Sequence, residues 1–265
     1  MCGRLNIQAT QLTKLLMSIL QQPYPGEDNA NAAPTETLSV IRMGEAGKLE
    51  CVPMRWWLTP SWSQGPSTQY SMFNAKVETA ATSPAFKGPF VRRRCVLPVS
   101  GFYEWQRRNG PKQPFLITDE DADGLLLAGL WDAWQPRGSA GDAAQLLSFT
   151  LLTTAAHPSL AALHHRQPVF LRQDQAFQWL DPNIATQDLG SLLAPSMPVP
   201  LQVVPVSSEV NNARNKSERC HYPVGPTQLV RADMPYNPAL GASAVGGRDK
   251  HSEQMTQQES IIVDT

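Results

Sequence analysis

Position 2 of the sequence carries two reactive groups on one residue. Cys2 follows Met1, and a small side chain at this position is the usual context for removal of the initiator methionine. Removal would give Cys2 a free α-amine beside its thiol. An α-amine has a reference pKa of about 7.7–8.0, and a cysteine thiol one of about 8.5. Both groups would be usable nucleophiles near neutral pH, although the position alone is a weak signal.

A carboxylate interrupts an otherwise apolar run. In Gly101–Trp105, interpreted as a strand, Glu104 faces away from Tyr103 and Trp105, because successive side chains of a strand point to opposite faces. Burial of a carboxylate is costly unless it has a partner or a task. Glu104 is therefore either exposed on an amphipathic strand or a functional acid–base group.

Three of the five histidines, His157, His164 and His165, fall within nine residues. Their spacing would place them on one face of a helix, so a metal site is one interpretation. Against it, Pro158 and Pro168 limit such a helix, and no cysteine or carboxylate stands nearby at regular ligand spacing. A single histidine acting as acid or base is favoured, because imidazole changes charge near pH 6.5. We expect no metal and no cofactor.

The chain as a whole has ordinary globular composition. Its 265 residues are 42% apolar and 17% charged, and the net charge is −1. These values exclude collagen-like, coiled-coil and wholly disordered proteins, and they argue against a strongly basic nucleic-acid arm. Any nucleic-acid binding must use a local patch rather than the field of the whole molecule.

The sequence predicts a cytoplasmic location. It begins without the pattern of a secretory signal, and no apolar run approaches the length of a membrane span. The cysteines lie far apart without a CxxC pair, which is typical of reduced thiols rather than a disulfide framework or a zinc ribbon. They are Cys2, Cys51, Cys95 and Cys220.

The elements that must position these residues are mainly strands. The pattern predicts a helix over 12–19, a hairpin of 38–43 with 48–54, and a long aromatic loop over 56–73. The dipeptide Asn109-Gly110 predicts a hairpin turn. Further strands are predicted at 95–99, 102–107, 114–118, 125–134, 146–154, 169–171 and 201–206.

Helices and loops surround this β-rich core. We predict a loop over 27–37, a loop entering a short helix over 74–83, and short helices over 158–163 and 175–180. Asp174 is the predicted N-cap of the last helix. The predicted fold is a single α+β domain, residues 2–235, with a barrel-like, mostly antiparallel core and short peripheral helices. Residues 236–265 are predicted to be a disordered tail, because the segment is small and polar.

Several short motifs, taken in order, resemble the SRAP (SOS-response-associated peptidase) family, whose members shield abasic sites in DNA. The resemblance covers roughly residues 2–222. The motifs are Cys2-Gly3-Arg4, Asn31-Ala32-Ala33-Pro34, the block from Asn74 to Ser83, Gly101–Trp105, the segment from Thr153 to Pro168, and Pro205-Val206-Ser207 through Asn211.

The resemblance implies a covalent reaction with DNA. The α-amine of Cys2 would form a Schiff base with the aldehyde of an opened abasic sugar, and the thiol would close a thiazolidine ring. By similarity, Asn74 orients Cys2 and the sugar, Glu104 moves protons at the Schiff base, and His164 assists opening of the sugar. Family members are also thought to release Met1 through the same site. The implied partner is single-stranded DNA containing abasic sites, with nucleoid association on damage.

DNA contacts are expected around the same motifs. Charged side chains would hold phosphates beside the lesion, and an exposed tryptophan would stack on a base. The residues assigned to DNA binding are Arg4, Pro34, Trp62, Lys76, Thr153 and Arg166. For the charged residues the alternative is a solvated surface charge, and for Trp62 it is a tryptophan that caps the core.

The sequence departs from the family pattern at three places. Lys76 stands where an arginine is usual, which replaces a bidentate phosphate clamp by a point charge. His165 replaces the usual aspartate after His164, an aspartate that might orient the imidazole. The loop 61–73 is longer than expected.

Three functions remain open at this stage. The first is a covalent abasic-site crosslinking protein that removes its own Met1. The second is a cysteine peptidase that uses Cys2 and His164 on other proteins. The third is a non-covalent single-stranded DNA-binding module in which Cys2 is incidental.

Overall fold

Strands dominate the computed structural model, which describes residues 2–106, 112–136 and 145–238. In chain order the described strands are β1 (Leu5–Ile7), β2 (Asn29–Ala32), β3 (Thr37–Met43), β4 (Leu49–Trp56), β5 (Asn74–Lys76), β6 (Arg94–Val99), β7 (Gly101–Gln106), β8 (Gln113–Asp119), β9 (Leu125–Trp134), β10 (Leu146–Ala155), β11 (Arg166–Pro168), β12 (Phe170–Leu171), β13 (Leu201–Pro205) and β14 (Gln228–Val230).

Helices are short and peripheral, as the sequence predicts. They are α1 (Ala9–Leu20), α2 (Val77–Ala80), α3 (Lys87–Arg92), α4 (Gln173–Leu180) and α5 (Gly190–Leu193), with 3-10 turns at Thr186–Leu189, Ser208–Asn211 and Glu218–His221. On α1, Leu12 and Leu16 are fully buried because they recur on one face at helical spacing. No helix in the described ranges is long and apolar enough to cross a membrane.

Five strands close into a barrel. Strand β3 pairs with β4 and β6, β6 pairs with β9, and β9 pairs with β10, all antiparallel; β10 then pairs with β4 in parallel and closes the ring. Gly129 of β9 lies between Cys95 and Leu151 of its two neighbours. A Cβ at Gly129 would stand 2.8 Å from the carbonyl oxygen of Thr150, so glycine permits this close approach.

The second sheet is antiparallel and carries the residues of greatest chemical interest. Its order is β14-β13-β8-β7-β1-β2. Strand β7 lies between β8 and β1, with Glu104 opposite Phe115 and Phe102 opposite Leu5. The barrel-like α+β fold predicted from the sequence is confirmed.

Most predicted strands are confirmed, but several other segments differ from the prediction, among them 74–76, which is the strand β5 rather than loop. The segment 27–37 is not all loop, because polar residues of β2 pair with β1. Residues 158–163 form successive turns rather than a helix. The N-cap of α4 is Arg172, and Asp174 lies in its first turn, paired with Arg172. The side chain of Tyr236, the first residue after the predicted domain, is buried (3% exposed).

Two sequence predictions fall on residues outside the described ranges. The Asn109-Gly110 turn is one, although β7 and β8 do pair antiparallel on either side of it. The greater part of the predicted tail, residues 239–265, is the other.

Candidate active site

Cys2 lies immediately before β1 and is completely buried. Its carbonyl oxygen accepts a hydrogen bond of 2.6 Å from the Nδ2 atom of Asn74. Asn74 opens β5, which runs parallel to β10 with Asn74 opposite Leu151. The barrel wall thus fixes the amide that holds the Cys2 main chain.

The thiol of Cys2 is strongly biased towards its neutral form. Burial raises its pKa well above the ordinary value, and the negative charge of Glu104 raises it further. A hydrogen bond from the backbone of Arg4 acts in the opposite direction but is a smaller effect. The thiol is therefore protonated at neutral pH in this arrangement.

Glu104 is buried in β7, with 4% of its surface exposed. Its Oε1 atom lies 3.8 Å from the Nδ1 atom of His164, which stands just before β11. The exposed alternative for Glu104 is thus wrong. Strand alternation correctly separates Glu104 from its two aromatic neighbours, but it does not reveal that the second face of β7 is covered as well.

The imidazole of His164 is placed to accept or donate a proton. Its Nδ1 atom lies 3.1 Å from the backbone nitrogen of Arg166 and 2.9 Å from the carbonyl oxygen of the same residue. An unprotonated Nδ1 can accept from the N–H, whereas a protonated Nδ1 can donate to the carbonyl oxygen. The imidazole ring of His164 also lies near that of His165, with ring centroids 4.4 Å apart.

The fold thus brings together the four residues that the sequence nominates for catalysis. The carbonyl oxygen of Cys2 accepts a hydrogen bond from Asn74, and the negative charge of Glu104 raises the pKa of the Cys2 thiol. Glu104 in turn lies 3.8 Å from His164. Such a set combines a sulfur nucleophile with a carboxylate and an imidazole that can move protons. Within the described residues, no group of three His, Cys, Asp or Glu side chains has a metal-binding arrangement.

Two of the predicted phosphate ligands are engaged inside the protein. The guanidinium of Arg166 forms an ion pair with Glu78, and it also donates to Thr153. Arg4 donates to Asn31 Oδ1 at 2.8 Å and to the carbonyl oxygen of Val210 at 2.7 Å. These bonds use the Nη1 atom of Arg4 and both terminal nitrogens of Arg166, so Arg166 must exchange a protein partner before it can clamp a phosphate.

The other predicted DNA residues differ in exposure. Trp62 is 65% exposed, and Lys76 is exposed beside the end of β5. Pro34 is half-buried. Thr153 is completely buried, so its side chain cannot touch DNA directly in this conformation, and it contacts Arg166 instead.

Comparison with known proteins connects this geometry to a family. The sequence model of the SRAP family, described as SOS response associated peptidase, matches residues 1–213. The chain belongs to the SRAP family.

Relatives and solved structures agree with that assignment. The chain is 33% identical over 223 residues to the abasic site processing protein YoaM of Bacillus subtilis, covering 82% of this chain and 96% of YoaM. It is 32% identical over 239 residues to the abasic site processing protein HMCES of Gallus gallus, covering 79% of this chain and 70% of HMCES. A crystal structure of a protein from Bordetella bronchiseptica has the same fold (TM-score 0.66, 23% identity, 78% and 100% coverage).

Two clefts flank Trp105 at the mouth of this SRAP site. One is lined by Gly3, Arg4, Trp105, Lys112 and Asn211, and the other by Glu104, Trp105, Gln106, Lys112, Ala161, Ala162, Leu163, His164 and His165. The indole of Trp105 donates to Asn211 Oδ1 at 2.6 Å, and the guanidinium of Arg4 lies 5.8 Å from its ring centroid.

Sequence reasoning missed Lys112, which lines both clefts. A lysine eight residues from Glu104, the nearest nominated catalytic residue, gives no local signal. Only the pairing of β7 with β8 brings the start of β8 beside Trp105.

The substitution of His165 for the usual family aspartate also has a structural consequence. The charge of His164 lowers the pKa of His165, which is exposed. A histidine at this position cannot give His164 the negative charge that an aspartate would provide.

Proposed function

We propose that this protein senses abasic sites in single-stranded DNA and becomes covalently attached to them through Cys2, after removing its own Met1. The observation that carries the proposal is the convergence of Cys2, Asn74, Glu104 and His164 in one buried site. Membership of the SRAP family and the names of the relatives support abasic sites as the target.

The proposed reaction begins with hydrolysis of the Met1–Cys2 peptide bond. This step consumes one water and must come first, because the nitrogen of Cys2 is an unreactive amide until Met1 leaves. The freed α-amine then attacks the sugar aldehyde, and loss of one water gives the Schiff base. Addition of the thiol across the C=N bond closes the thiazolidine, so the adduct weighs one water less than its two reactants.

Each proposed catalytic residue has a role in these reaction steps. The Asn74 amide holds the carbonyl of Cys2 and thereby orients the amine and thiol. Glu104 is proposed to move protons at the nitrogen of the Schiff base. His164, close to Glu104, is proposed to donate or accept the proton that opens the sugar ring. General acid–base assistance of this kind is typically worth about 10²–10⁴-fold.

A peptidase acting on other proteins is less well supported. Cysteine peptidases need a thiolate, which a neighbouring cation or helix N-terminus stabilises by lowering the thiol pKa. In this site burial and Glu104 raise the pKa of Cys2 instead. A thiol that acts second, on a Schiff base already formed, does not need that activation in the resting protein.

The test is the intact mass of the protein after incubation with a single-stranded oligonucleotide that contains one abasic site. We expect the protein to lack Met1 and to gain the mass of the oligonucleotide minus one water. An undamaged oligonucleotide of the same sequence is the matched control. Binding without a gain in mass would favour the non-covalent module, and cleavage of added polypeptides would favour the peptidase.

A further inference from the structure

The turn that carries His164 is held both by its own hydrogen bonds and by contacts from other parts of the chain. Residues 158–163 form turns rather than a regular helix, and His164 follows directly. Its local hydrogen bonds include Leu163 N to Leu160 O at 2.9 Å and His164 N to Leu160 O at 3.2 Å, and the backbone of Arg166 holds the Nδ1 atom of the imidazole. Contacts from elsewhere in the chain hold the turn in addition.

One such contact comes from the strand that carries Glu104. Gln106 lies two residues further along β7, so its side chain shares a face with that of Glu104. Its Nε2 atom donates to the carbonyl oxygen of Ala162 at 3.0 Å. Two side chains on one face of β7, Glu104 and Gln106, therefore both reach the turn that carries His164.

The other contacts come from the segment after β14. The backbone N–H of Tyr236 donates to the carbonyl oxygen of Ser159 at 2.8 Å, and Ser159 Oγ donates to the carbonyl oxygen of Ala232 at 3.2 Å. The hydroxyl of Tyr236 donates to Gln106 Oε1 at 3.2 Å in a buried environment. Gln106 is therefore held at one amide atom by Tyr236 while the other holds Ala162.

The ring of Tyr236 is fixed as well. It is 3% exposed and packs edge-on against Phe115, with centroids 5.7 Å apart. Phe115 is the β8 residue opposite Glu104. Tyr236 therefore contacts the turn of His164, the strand of Glu104 and the residue paired with Glu104.

We infer that Tyr236 is a positioning residue, which sets the place of the His164 imidazole against Glu104 through Gln106 and Ser159. It lies beyond residues 1–213, which the family model matches, so the role belongs to this chain's own C-terminal segment. The inference rests on the proposed function only for its effect on rate. Its geometric content, that Tyr236 controls His164, stands separately.

The test uses Tyr236→Phe in the full chain, which keeps the ring and removes the hydroxyl. The matched control is Tyr222→Phe, the same chemical change at a residue that is 51% exposed. The first measurement is the proton–carbon NMR spectrum of the histidine rings between pH 5 and 9, with the His164 signal assigned by its loss in His164→Gln. We expect Tyr236→Phe to change the shifts and titration curve of His164, and Tyr222→Phe to leave them unchanged.

The second measurement is the rate of crosslinking to abasic single-stranded DNA. We expect Tyr236→Phe to lower the rate at saturating DNA by about three- to tenfold, with the half-saturating DNA concentration within about twofold of wild type. Ser159→Ala, which removes the side-chain bond from Ser159 to Ala232 and keeps the backbone bond from Tyr236 to Ser159, should change the His164 signal in the same sense. A wild-type protein that fails to crosslink overturns the proposed function, and the NMR measurement still decides the inference.

A His164 spectrum in Tyr236→Phe that matches wild type would overturn the inference. The same conclusion would follow if the melting temperature fell while the His164 signal stayed unchanged, because Tyr236 would then be a purely structural residue.

Discussion

Burial of the Cys2 thiol sets the order of the proposed chemistry. Burial raises the pKa of the thiol, whereas an α-amine has a reference pKa of about 7.7–8.0. The amine is therefore the first nucleophile and the thiol the second. This order fits a ring closure on a Schiff base, in which the thiol proton can pass to the nitrogen.

The first prediction separates the nucleophile from the binding surface. Cys2→Ala should abolish the covalent adduct and leave non-covalent DNA affinity largely intact, since the alanine removes only a buried thiol. Insertion of one residue before Cys2 should be nearly as damaging, because it moves the α-amine away from the thiol. Denaturing electrophoresis and fluorescence anisotropy measure the two properties, and an undiminished adduct from Cys2→Ala would remove Cys2 from the mechanism.

The second prediction concerns Glu104 as a proton carrier. Glu104→Gln keeps the shape of the side chain and removes its charge, so crosslinking or its reversal should slow at least about tenfold, or about 1.4 kcal/mol in the barrier. DNA affinity should stay within about threefold, or about 0.65 kcal/mol. Single-turnover rates and anisotropy titrations on the same variant provide the comparison. Equal losses in rate and affinity would indicate a binding role.

At the scale of elements, the position of the short strand β2 depends on the side-chain hydrogen bonds of Asn31, because its sequence, Asn-Ala-Asn-Ala, contains no large apolar side chain. Asn31 is fully buried and donates to the carbonyl oxygens of Val210, Asn212 and Asn215, while its Oδ1 accepts from Arg4. This amide joins β2 to the segment that borders one cleft beside Trp105. Polar residues that look like a loop in the sequence are thereby held in a sheet.

The third prediction is that Asn31→Ala lowers the free energy of unfolding by about 2–3 kcal/mol, because several buried polar groups lose their partner together. Urea denaturation followed by tryptophan fluorescence measures this change. Asn183→Ala is the control, since Asn183 is exposed and bonds only locally to Asp181, and it should change stability by less than about 0.5 kcal/mol. A loss of similar size in both variants would contradict the role of Asn31.

Local pattern predicts the barrel but not the contacts that complete the site. The apolar runs that become β9 and β10 carry a strong local signal, and the hairpin of β3 with β4 follows from its turn residues. The strand β2, the turn before His164 and the burial of Tyr236 depend on hydrogen bonds from residues more than seventy positions away. No local periodicity encodes such contacts, and Lys112 escapes notice for the same reason.

At the scale of the whole molecule, buried cysteine thiols and tyrosine hydroxyls should make the folded state less stable at alkaline pH. Burial raises the pKa of all four cysteines and of two tyrosines, and it brings those of Cys51 and Tyr24 to about 12. A pKa raised by folding contributes stability below the unfolded-state pKa, and that stability is lost as pH rises above it. Above the unfolded-state pKa the unfolded chain binds fewer protons than the folded protein, so the free energy of unfolding falls as pH rises.

The fourth prediction follows from that sign. Between pH 8 and pH 10, under reducing conditions, the free energy of unfolding should fall by at least about 2 kcal/mol, the contribution of one buried thiol whose unfolded pKa is about 8.5. Urea denaturation at each pH measures it. Cys95→Ala should be less stable overall but should show a shallower fall over this range, because Cys95 is one of the fully buried thiols. A pH-independent stability would contradict the assignment.

The last prediction concerns how a protein of net charge −1 holds DNA at all. Arg4 and Arg166 are engaged with protein partners, whereas Lys76 is exposed and Lys112 lines both clefts beside Trp105. Within the described part of this site, few cations are therefore available to neutralise phosphates. At roughly −0.7 per phosphate on a single strand, the slope of log affinity against log salt should lie between about −1 and −2.

The form of the DNA should matter for the same reason. With so little electrostatic binding energy, the protein cannot readily meet the cost of unstacking a duplex, so an abasic site in a single strand should react faster than the same site within a long duplex. Anisotropy at several salt concentrations and crosslinking rates on both substrates measure the two effects. Lys112→Ala should flatten the salt slope, whereas Lys48→Ala, at the tip of the β3–β4 hairpin, should not. Equal rates on the two substrates, or a slope steeper than about −5, would require a larger basic surface than this site provides.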